Sequence, residues 1–231
     1  MSHSPFALAK ACFDIGYFTA NCDAMLAFWR DEIGLPFEEP VEFNNGLTQY
    51  RHALGDSVIK INTSQEKIAR PPTGYSELLI AKPGCTITET ITDPDGNRIH
   101  FVPPGEHGID GIGISLRVRD VAAHQNFFRE TMRFKQVSKR SFRSGNSIVL
   151  LEPDEQASSA GHWVNLGLRY FTLHVMRVDE CFNSMTSAGA GIGEEPYSIG
   201  QIARISFVRD PDGNWIEVAQ RASLAGGWWE E

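Results

Sequence analysis

A repeated turn motif constrains the fold of this chain more than any other sequence feature. The segment DPDGNRIHFVPP, residues 93–104, returns 117 residues later as DPDGNWIEVAQR, residues 210–221. In each copy a proline and an Asp-Gly pair supply a tight turn, and an alternating strand follows it. Because five identical residues lead into two strands of the same pattern, the spacing predicts an internal duplication.

Other segments of the chain share one order of predicted strands and helices. Three of them open with a short strand and continue into an amphipathic helix, and the first such helix covers residues 23–33. We predict that Asp120 caps the second helix, which runs to Met132, and that Asp179 caps the third, which Gly189 ends. Alternating segments follow the first two helices, so the repeated unit is a strand, a helix and several antiparallel strands.

The chain holds four copies of this unit. Their first residues lie near Asp14, Tyr75, Gly113 and Tyr170. In the second copy Pro83 and Gly84 turn one strand directly into the next, which leaves no room for a helix. The segment VPPGEHGIDG, residues 102–111, is rich in proline and glycine and predicts a domain boundary. We therefore predict an N-terminal domain of residues 1–105 with the first two units and a C-terminal domain of residues 106–231 with the last two.

Composition excludes several classes of partner. The 231 residues include 21 lysines and arginines against 29 aspartates and glutamates, a net charge of -8, whereas a nucleic-acid partner requires a concentrated basic face. We expect no signal peptide and no membrane partner, because the apolar runs are too short to span a bilayer. The four cysteines form no CxxC pair, which predicts reduced thiols and a cytoplasmic location.

The strand–helix openings and the two DPDGN hairpins, which end in RIHF and WIEV, resemble the vicinal oxygen chelate superfamily. This superfamily includes glyoxalases, bleomycin-resistance proteins and extradiol dioxygenases, and the resemblance runs from about Phe13 to Arg221. It implies an α+β fold in which four βαβββ modules, the second without its helix, form two cup-shaped open sheets. It also implies a homodimer, a small-molecule substrate, and a divalent Fe, Mn, Zn or Ni ion that chelates two substrate oxygens in a cup.

Strand parity selects the side chains that face a cup, since successive side chains of a strand point to opposite faces. On the opening strands these are Asp14, Gly16, Phe18, Gly113, Ser115, Arg117, Tyr170, Thr172 and His174. On the final strands they are Lys60, His100, Val149 and Glu217. The resemblance places metal ligands at such positions.

The residues at those positions depart from the expected ligands. Where the extradiol pattern has His, His and Glu, this chain has Gly113, Tyr170 and Glu217, and one carboxylate does not hold a divalent ion tightly. In the N-terminal half, Lys60 places an ammonium group where a cation would bind. We therefore predict a degenerate metal site, with Glu217 and His174 as the ligands if a metal binds.

The C-terminal candidates for catalysis are Glu217, His174 and Tyr170. Glu217 is a candidate for proton transfer, and the alternative is a solvated strand carboxylate. His174 is either a general base that Glu217 orients, an off-register metal ligand, or a half-buried structural histidine. Tyr170 either binds substrate through its hydroxyl, acts as an acid, or packs as an ordinary strand residue.

The N-terminal candidates are Lys60, His100 and Asp14. We expect Lys60 to pair with Asp14 while His100 acts as an acid or base on a bound carbonyl compound. A desolvated lysine that forms a Schiff base and a purely structural ion pair are the alternatives. His52 is a minor candidate for the same cup, because its register is ambiguous beside the equally polar Arg51.

Arg117 and Arg204 are candidates to clamp a carboxylate or an enolate, with surface salt bridges as the alternative. The remaining histidines are predicted to lie on the surface, in termini, loops or a helix face: His3, His107, His124 and His162. Trp228 and Trp229 are predicted to cover a cup mouth or to pack on another subunit.

These features predict an enzyme: a lyase, an isomerase or a ring-cleavage dioxygenase-like protein. Its substrate would be a small oxygenated metabolite that is cyclic or aromatic. The alternative is a sequestering protein that binds such a molecule without chemistry, as the missing metal ligands favour. A third option makes the N-terminal half a scaffold for the other half.

Overall fold

The structure, a computed structural model, describes residues 6–43 and 46–227, so His3 and the tryptophans at 228 and 229 lie outside the described residues. The strands of this part are β1 (Asp14–Phe18), β2 (Phe37–Glu42), β3 (Leu47–Leu54), β4 (Ser57–Ser64), β5 (Tyr75–Ala81), β6 (Glu89–Thr92), β7 (Arg98–Val102), β8 (Ile112–Val118), β9 (Lys135–Ser138), β10 (Ser141–Ser144), β11 (Ser147–Pro153), β12 (Gly167–His174), β13 (Gly191–Ile199), β14 (Ala203–Arg209) and β15 (Trp215–Arg221).

The helices of the described chain are few and short. They are α1 (Cys22–Ala27), α2 (Val121–Asn126), α3 (Val178–Ser187) and α4 (Ala222–Ala225). The first two continue as π-helical turns, Phe28–Glu32 and Phe127–Thr131, and a 3-10 turn covers Glu106–Gly108. Among the described residues, no helix combines the length and the apolar character needed to cross a membrane.

The expected α+β modules are confirmed, and the second module has no helix between β5 and β6. Asp120 caps α2, since its Oδ1 accepts a hydrogen bond from the Ala123 amide at 3.0 Å. The cap predicted at Asp179 is wrong, because α3 already begins at Val178 and Asp179 lies in its first turn. The Asp179 carboxylate instead binds Arg204.

The two DPDGN hairpins have the same internal hydrogen bonds, which explains their shared sequence. Asp93 Oδ1 accepts from the amides of Asp95 and Asn97 at 3.0 and 2.8 Å. Asp210 Oδ1 does the same in the second copy, at 3.0 and 2.8 Å from the amides two and four residues on. In both, the glycine has a positive φ, which favours Gly at that place in the turn.

The sheets do not pair the first module with the second or the third with the fourth. The eight-stranded sheet has the order β13-β14-β15-β12-β1-β4-β3-β2, so the first and fourth modules share it. The seven-stranded sheet, β6-β7-β5-β8-β11-β10-β9, combines the second and third modules. The expectation of one cup in each half of the chain is therefore wrong, and a division at residues 105 and 106 stays a prediction.

The opening strands explain this pairing. Each module leaves its opening strand at one edge, with unpaired backbone groups that need a partner. A short connection brings β8 against β5 in antiparallel pairing, which leaves β1 to pair antiparallel with β12. The main apolar core lies on the helix side of both sheets and includes Ile15, Ile59 and Phe171. We call the opposite face of the eight-stranded sheet the main cup.

Candidate functional site

The main cup brings together candidates from both ends of the chain. Asp14 and Lys60 come from the first module, on β1 and β4. Tyr170, His174 and Glu217 come from the fourth module, on β12 and β15. The residues that the sequence assigned to two separate cups thus belong to one, because their modules share a sheet.

A buried ion pair lies at the centre of this cup. Lys60 Nζ is 2.7 Å from Glu217 Oε2 and 2.8 Å from Thr172 Oγ1, and the Thr172 hydroxyl donates to the same Glu217 oxygen. Lys60 is 4% and Glu217 7% exposed, so water screens their charges weakly. Lys60 therefore pairs with Glu217, whereas the sequence suggested Asp14.

A second acid–base pair lies beside the first. His174 Nε2 is 2.7 Å from Asp14 Oδ2, while Asp14 Oδ1 accepts from the Val58 amide at 2.9 Å and from Lys10 Nζ at 2.5 Å. Burial opposes the Asp14 charge, but the hydrogen bond from His174 and the charges of Lys60 and Lys10 hold the pKa of Asp14 well below its usual range. Asp14, and not Glu217, orients His174.

The environment of His174 favours its neutral form. Burial lowers the pKa of this imidazole, and the opposing attraction of Asp14 is the smaller effect. A neutral ring that donates through Nε2 carries its lone pair on Nδ1. That Nδ1 is buried and lacks a hydrogen-bond partner within the described chain.

Tyr170 covers the floor of the cup. Its hydroxyl accepts a hydrogen bond from Asn62 Nδ2 at 3.2 Å, so its own hydrogen is available to another acceptor. Burial, reinforced by the Glu217 charge, raises the pKa of Tyr170 well above its usual value, which keeps the hydroxyl protonated. The ring lies directly over Gly16, where a Cβ atom would overlap it.

A chain of amides extends from this floor and was not singled out by the sequence. Gln49 Nε2 donates to Asn62 Oδ1 at 2.9 Å, and Arg51 Nη1 donates to Gln49 Oε1 at 3.2 Å. Arg51 also binds Glu38 at 2.8 Å. The signal for Asn62 was present, since it follows Lys60 by two residues and therefore shares its face.

The cup encloses a cavity of about 220 Å³. Its wall consists of Phe43, Leu47, Gln49, Asn62, Trp163, Tyr170, Tyr197, Ser198, Ile199, Gly200, Ile205 and Glu217. Glu217 is the charged member of this wall, whereas Lys60, Asp14 and His174 lie behind it. Trp163 is fixed by stacking on Phe207, with ring centroids 4.7 Å apart.

A carboxylate holds the aromatic wall in place. Glu194 accepts from Trp163 Nε1 at 2.7 Å and lies 2.9 Å from His162 Nε2. Burial would raise the pKa of Glu194, but these hydrogen bonds lower it below its usual value. The loop histidine thus stabilises the cavity wall, although its side chain is half exposed as the sequence predicted.

Two predicted histidines lie outside the main cup. His100 belongs to the seven-stranded sheet, where its Nε2 is 3.1 Å from Glu77 Oε2 and its Nδ1 2.9 Å from Thr90 Oγ1. His52 pairs with Ile59 across β3 and β4 and therefore faces the helix side of the eight-stranded sheet. Its proposed place in a cup is wrong, because the register puts Arg51 there instead.

The two candidate arginines also lie elsewhere. Arg204 faces α3 and forms two 2.7 Å hydrogen bonds with Asp179, so a clamp in the cup is excluded in this arrangement. Arg117 is half exposed at the junction of the two sheets, 3.9 Å from Asp154.

Two further placements differ from the sequence expectations. Val149 was predicted to face a cup but lies on the helix side, in the main core, where it pairs with Ile114 of β8. His124 is fully buried, with Nε2 3.2 Å from Asp210 Oδ2, whereas a surface position was predicted. His107 is exposed by about half, as expected.

The donor set of the main cup does not fit a divalent metal. No group of three or more His, Cys, Asp or Glu side chains within residues 6–43 and 46–227 is placed to hold one. Lys60 Nζ lies where the last strands of the first and fourth modules converge, and an ammonium group has no lone pair to offer. The positive charge next to Glu217 is therefore that of Lys60.

Comparisons with known proteins agree with this architecture. Residues 109–218 match the model of the Glyoxalase/Bleomycin resistance protein/Dioxygenase superfamily. No curated protein matches the sequence.

Solved structures resemble nearly the whole chain. Glyoxalase I from Zea mays has a TM-score of 0.71 at 14% identity and covers 90% of this chain and 92% of its own. A point mutant of the same enzyme gives 0.72 at 12% identity, with 93% of each chain covered. A Bacillus subtilis protein, provisionally described as a dioxygenase, gives 0.67 at 13% identity, with 95% and 86% covered. At these identities the likeness shows the fold. Residues 109–218 therefore match the model of the glyoxalase/bleomycin resistance protein/dioxygenase superfamily, and nearly the whole chain has the fold of these solved structures.

Proposed function

We propose that this protein is an enzyme that transfers a proton next to the carbonyl group of a small oxygenated, cyclic or aromatic metabolite. The reaction class is that of a lyase or an isomerase, and the site is the main cup. The observation that carries the proposal is the 2.7 Å contact between Lys60 Nζ and Glu217 Oε2, because it places a fixed cation directly behind a carboxylate of the cavity wall.

Glu217 is the proposed base. It accepts a proton from the carbon beside the carbonyl, the C–H bonding electrons move toward the carbonyl oxygen, and an enolate forms. Return of the proton to another carbon completes an isomerisation, whereas loss of a leaving group from the neighbouring carbon completes an elimination. Both outcomes balance without any added oxidant or reductant.

Tyr170 is the proposed partner of the enolate oxygen. Its hydroxyl already accepts from Asn62, remains protonated and lines the cavity, so it can donate to a substrate oxygen. Lys60 acts from behind the wall, where its charge stabilises the anionic intermediate. Asp14 and His174 are positioning residues that fix the electrostatic surroundings of Lys60.

Solvent exchange tests the proposal and does not require the natural substrate. The protein is incubated in D2O with a panel of cyclic and aryl ketones, and deuterium incorporation next to the carbonyl is followed by proton NMR. Glu217→Gln is expected to lower the exchange rate at least about 100-fold, as for loss of a general base. Glu195→Gln, on the exposed side of β13, is the control. Exchange at the wild-type rate in Glu217→Gln would contradict the proposal.

The aromatic lining favours a second candidate function, sequestration of a planar ligand without chemistry. Trp163, Tyr170 and Tyr197 supply ring surfaces that bind such a molecule regardless of Glu217. In that case Glu217→Gln retains full ligand affinity, measured by quenching of tryptophan fluorescence, and the wild-type protein shows no exchange with any panel member.

We also propose a cytoplasmic homodimer. All four cysteines are free thiols, as in proteins of a reducing compartment. The dimer is expected from the superfamily resemblance, and light scattering after size-exclusion chromatography measures it directly.

A further inference from the structure

A second cleft lies where the two sheets meet. It has a volume of about 480 Å³ and shares no lining residue with the cavity of the main cup. The start of β12 contributes one wall, and the starts of β5 and β7 together with the end of β8 contribute the other. We call this space the seam cleft.

Three guanidinium groups line the seam cleft, those of Arg70, Arg98 and Arg117. Their side chains are 44%, 58% and 49% exposed, so each can reach a ligand in the opening. They come from three different segments of the chain. A set of half-exposed arginines around one cleft is the arrangement that recognises oxyanions.

The carboxylates near these arginines leave them incompletely paired. Arg98 is 3.0 Å from Glu77, but Arg70 is 4.0 Å from Asp95 and Arg117 is 3.9 Å from Asp154. Glu77 also faces His100 and is therefore shared. Only one of the carboxylates, Asp154, lines the cleft itself.

A fourth guanidinium lies directly behind the wall of the cleft. Arg169 is 1% exposed, and its terminal nitrogens donate to the carbonyl oxygens of Pro71, Ala160 and His162 at 3.2, 3.0 and 3.3 Å. Its Nε is buried without a hydrogen-bond partner in the described chain. Burial lowers the pKa of Arg169 to about 10, and the charge of Arg70 adds to this effect.

Carbonyl dipoles therefore surround the Arg169 charge. Within the described residues, Arg169 forms no ion pair with a carboxylate. A buried charge without a counter-ion is unfavourable unless another group compensates it. An anion in the seam cleft would do so, because Pro71 both accepts from Arg169 and lines the cleft.

Gly167 lines the cleft with a φ of +101°, a backbone conformation that favours glycine. A Cβ atom there would lie 3.5 Å from Asn97 Oδ1 and 3.6 Å from Arg70 Nη1. These distances place the Arg70 guanidinium and the Asn97 amide next to Gly167 at the cleft wall. Tyr75, Leu166 and Leu168 add apolar surface next to these polar groups.

We propose that the seam cleft binds the phosphate group of a phosphorylated small molecule. Several guanidinium groups on different walls suit the three free oxygens of a phosphate monoester, each of which accepts hydrogen bonds. The cleft is larger than phosphate alone requires, and its apolar part accommodates the organic portion of the ligand. This site is independent of the proton-transfer chemistry proposed for the main cup.

Calorimetric titration of the full-length protein with inorganic phosphate and with phenyl phosphate, at constant ionic strength, tests this proposal. Phenyl phosphate is expected to bind more tightly than phosphate. Arg117→Gln and Arg98→Gln are each expected to weaken phenyl phosphate binding about tenfold, the effect of losing one charge-assisted hydrogen bond. Arg129→Gln, at an exposed arginine beside Glu130, is the matched control.

The outcomes separate clearly. Equal weakening by Arg129→Gln and Arg117→Gln would overturn the proposal, because it would mean nonspecific attraction to positive charge. Tighter binding of benzoate than of phenyl phosphate would overturn it as well, in favour of a carboxylate site. Circular dichroism of each variant confirms that the fold is retained. No binding of either phosphate compound by the folded wild type would also overturn the proposal.

Discussion

Lys60 Nζ and Glu217 Oε2 lie 2.7 Å apart, although 157 residues separate them in the chain. The contact joins the last strand of the first module to the last strand of the fourth, and Thr172 binds both side chains. The main cup thus depends on both ends of the chain folding into one sheet. Because both charged groups are buried, neither can be removed without leaving the other uncompensated.

Removal of Lys60 is expected to destabilise the protein strongly. Lys60→Met leaves Glu217 buried beside an apolar side chain, which costs about 3–5 kcal/mol. Glu217→Gln leaves Lys60 uncompensated in the same way. The double variant loses both charges together, so its loss is expected to be well below the sum of the single losses. Urea unfolding of the four proteins measures this coupling, and strictly additive losses would contradict the ion pair.

Lys60 occupies a position where the superfamily resemblance implies a metal ligand, and this leads to a second prediction. Lys60→His replaces the ammonium group with an imidazole on the same face of the sheet as Asp14 and Glu217, and three such donors suit a divalent ion. We expect this variant to bind Co²⁺ and to show visible d–d absorption that EDTA removes. The wild type and Lys82→His, a change at a half-exposed lysine, are expected to show none. Equal absorption in all three proteins would contradict this account of the cup.

Much of the architecture follows from the sequence because its signals are local. The DPDGN turns, the Asp120 cap and the missing second helix depend on residues within a few positions of one another. Glu217 was assigned to a cup because Ile216 and Val218 fix its parity in an alternating strand.

The pairing of modules could not be predicted in this way. A period-two pattern tells which face of a strand is buried, but not which other strand lies at its edge. β1 pairs with β12 and not with a strand of the second module, and this long-range choice decided the partners of Lys60 and His174. Val149 was misplaced for a different reason, since its strand is apolar on both faces and carries no alternation.

Gly16 and Tyr170 provide a third prediction. A Cβ atom at Gly16 would overlap the Tyr170 ring, so Gly16→Ala forces the ring out of its place at the cup floor. Such overpacking costs about 1–3 kcal/mol. In the background of Tyr170→Ala, the same change at Gly16 is expected to have little further effect, because the obstructing ring is gone.

Thermal and urea unfolding measure this coupling. Gly111→Ala is the control, since its nearest neighbour would lie 4.0 Å from the new atom. A Gly16→Ala protein as stable as the wild type would show that the ring does not occupy this position.

The last prediction concerns His52, which is buried against the helix side with no hydrogen-bond partner at either ring nitrogen in the described chain. Burial, reinforced by the charge of Arg30, lowers its pKa from 6.5 to about 4. The unfolded chain therefore takes up a proton at this residue as the pH falls through 6.5, while the folded chain does not. Stability is retained above pH 6.5 and lost progressively down to about pH 4, by about 3 kcal/mol in total.

His52→Leu removes the titrating group and keeps an apolar side chain of similar size at the site. The free energy of unfolding of the variant minus that of the wild type is expected to be larger at pH 4.5 than at pH 7. The reason is that the unfolded variant takes up no proton at position 52. Urea unfolding across this pH range measures the effect. His107→Asn, at a half-exposed histidine with a positive φ that asparagine tolerates, should retain the wild-type slope. The same slope in His52→Leu and the wild type would mean that this imidazole is hydrated or partnered in the folded protein.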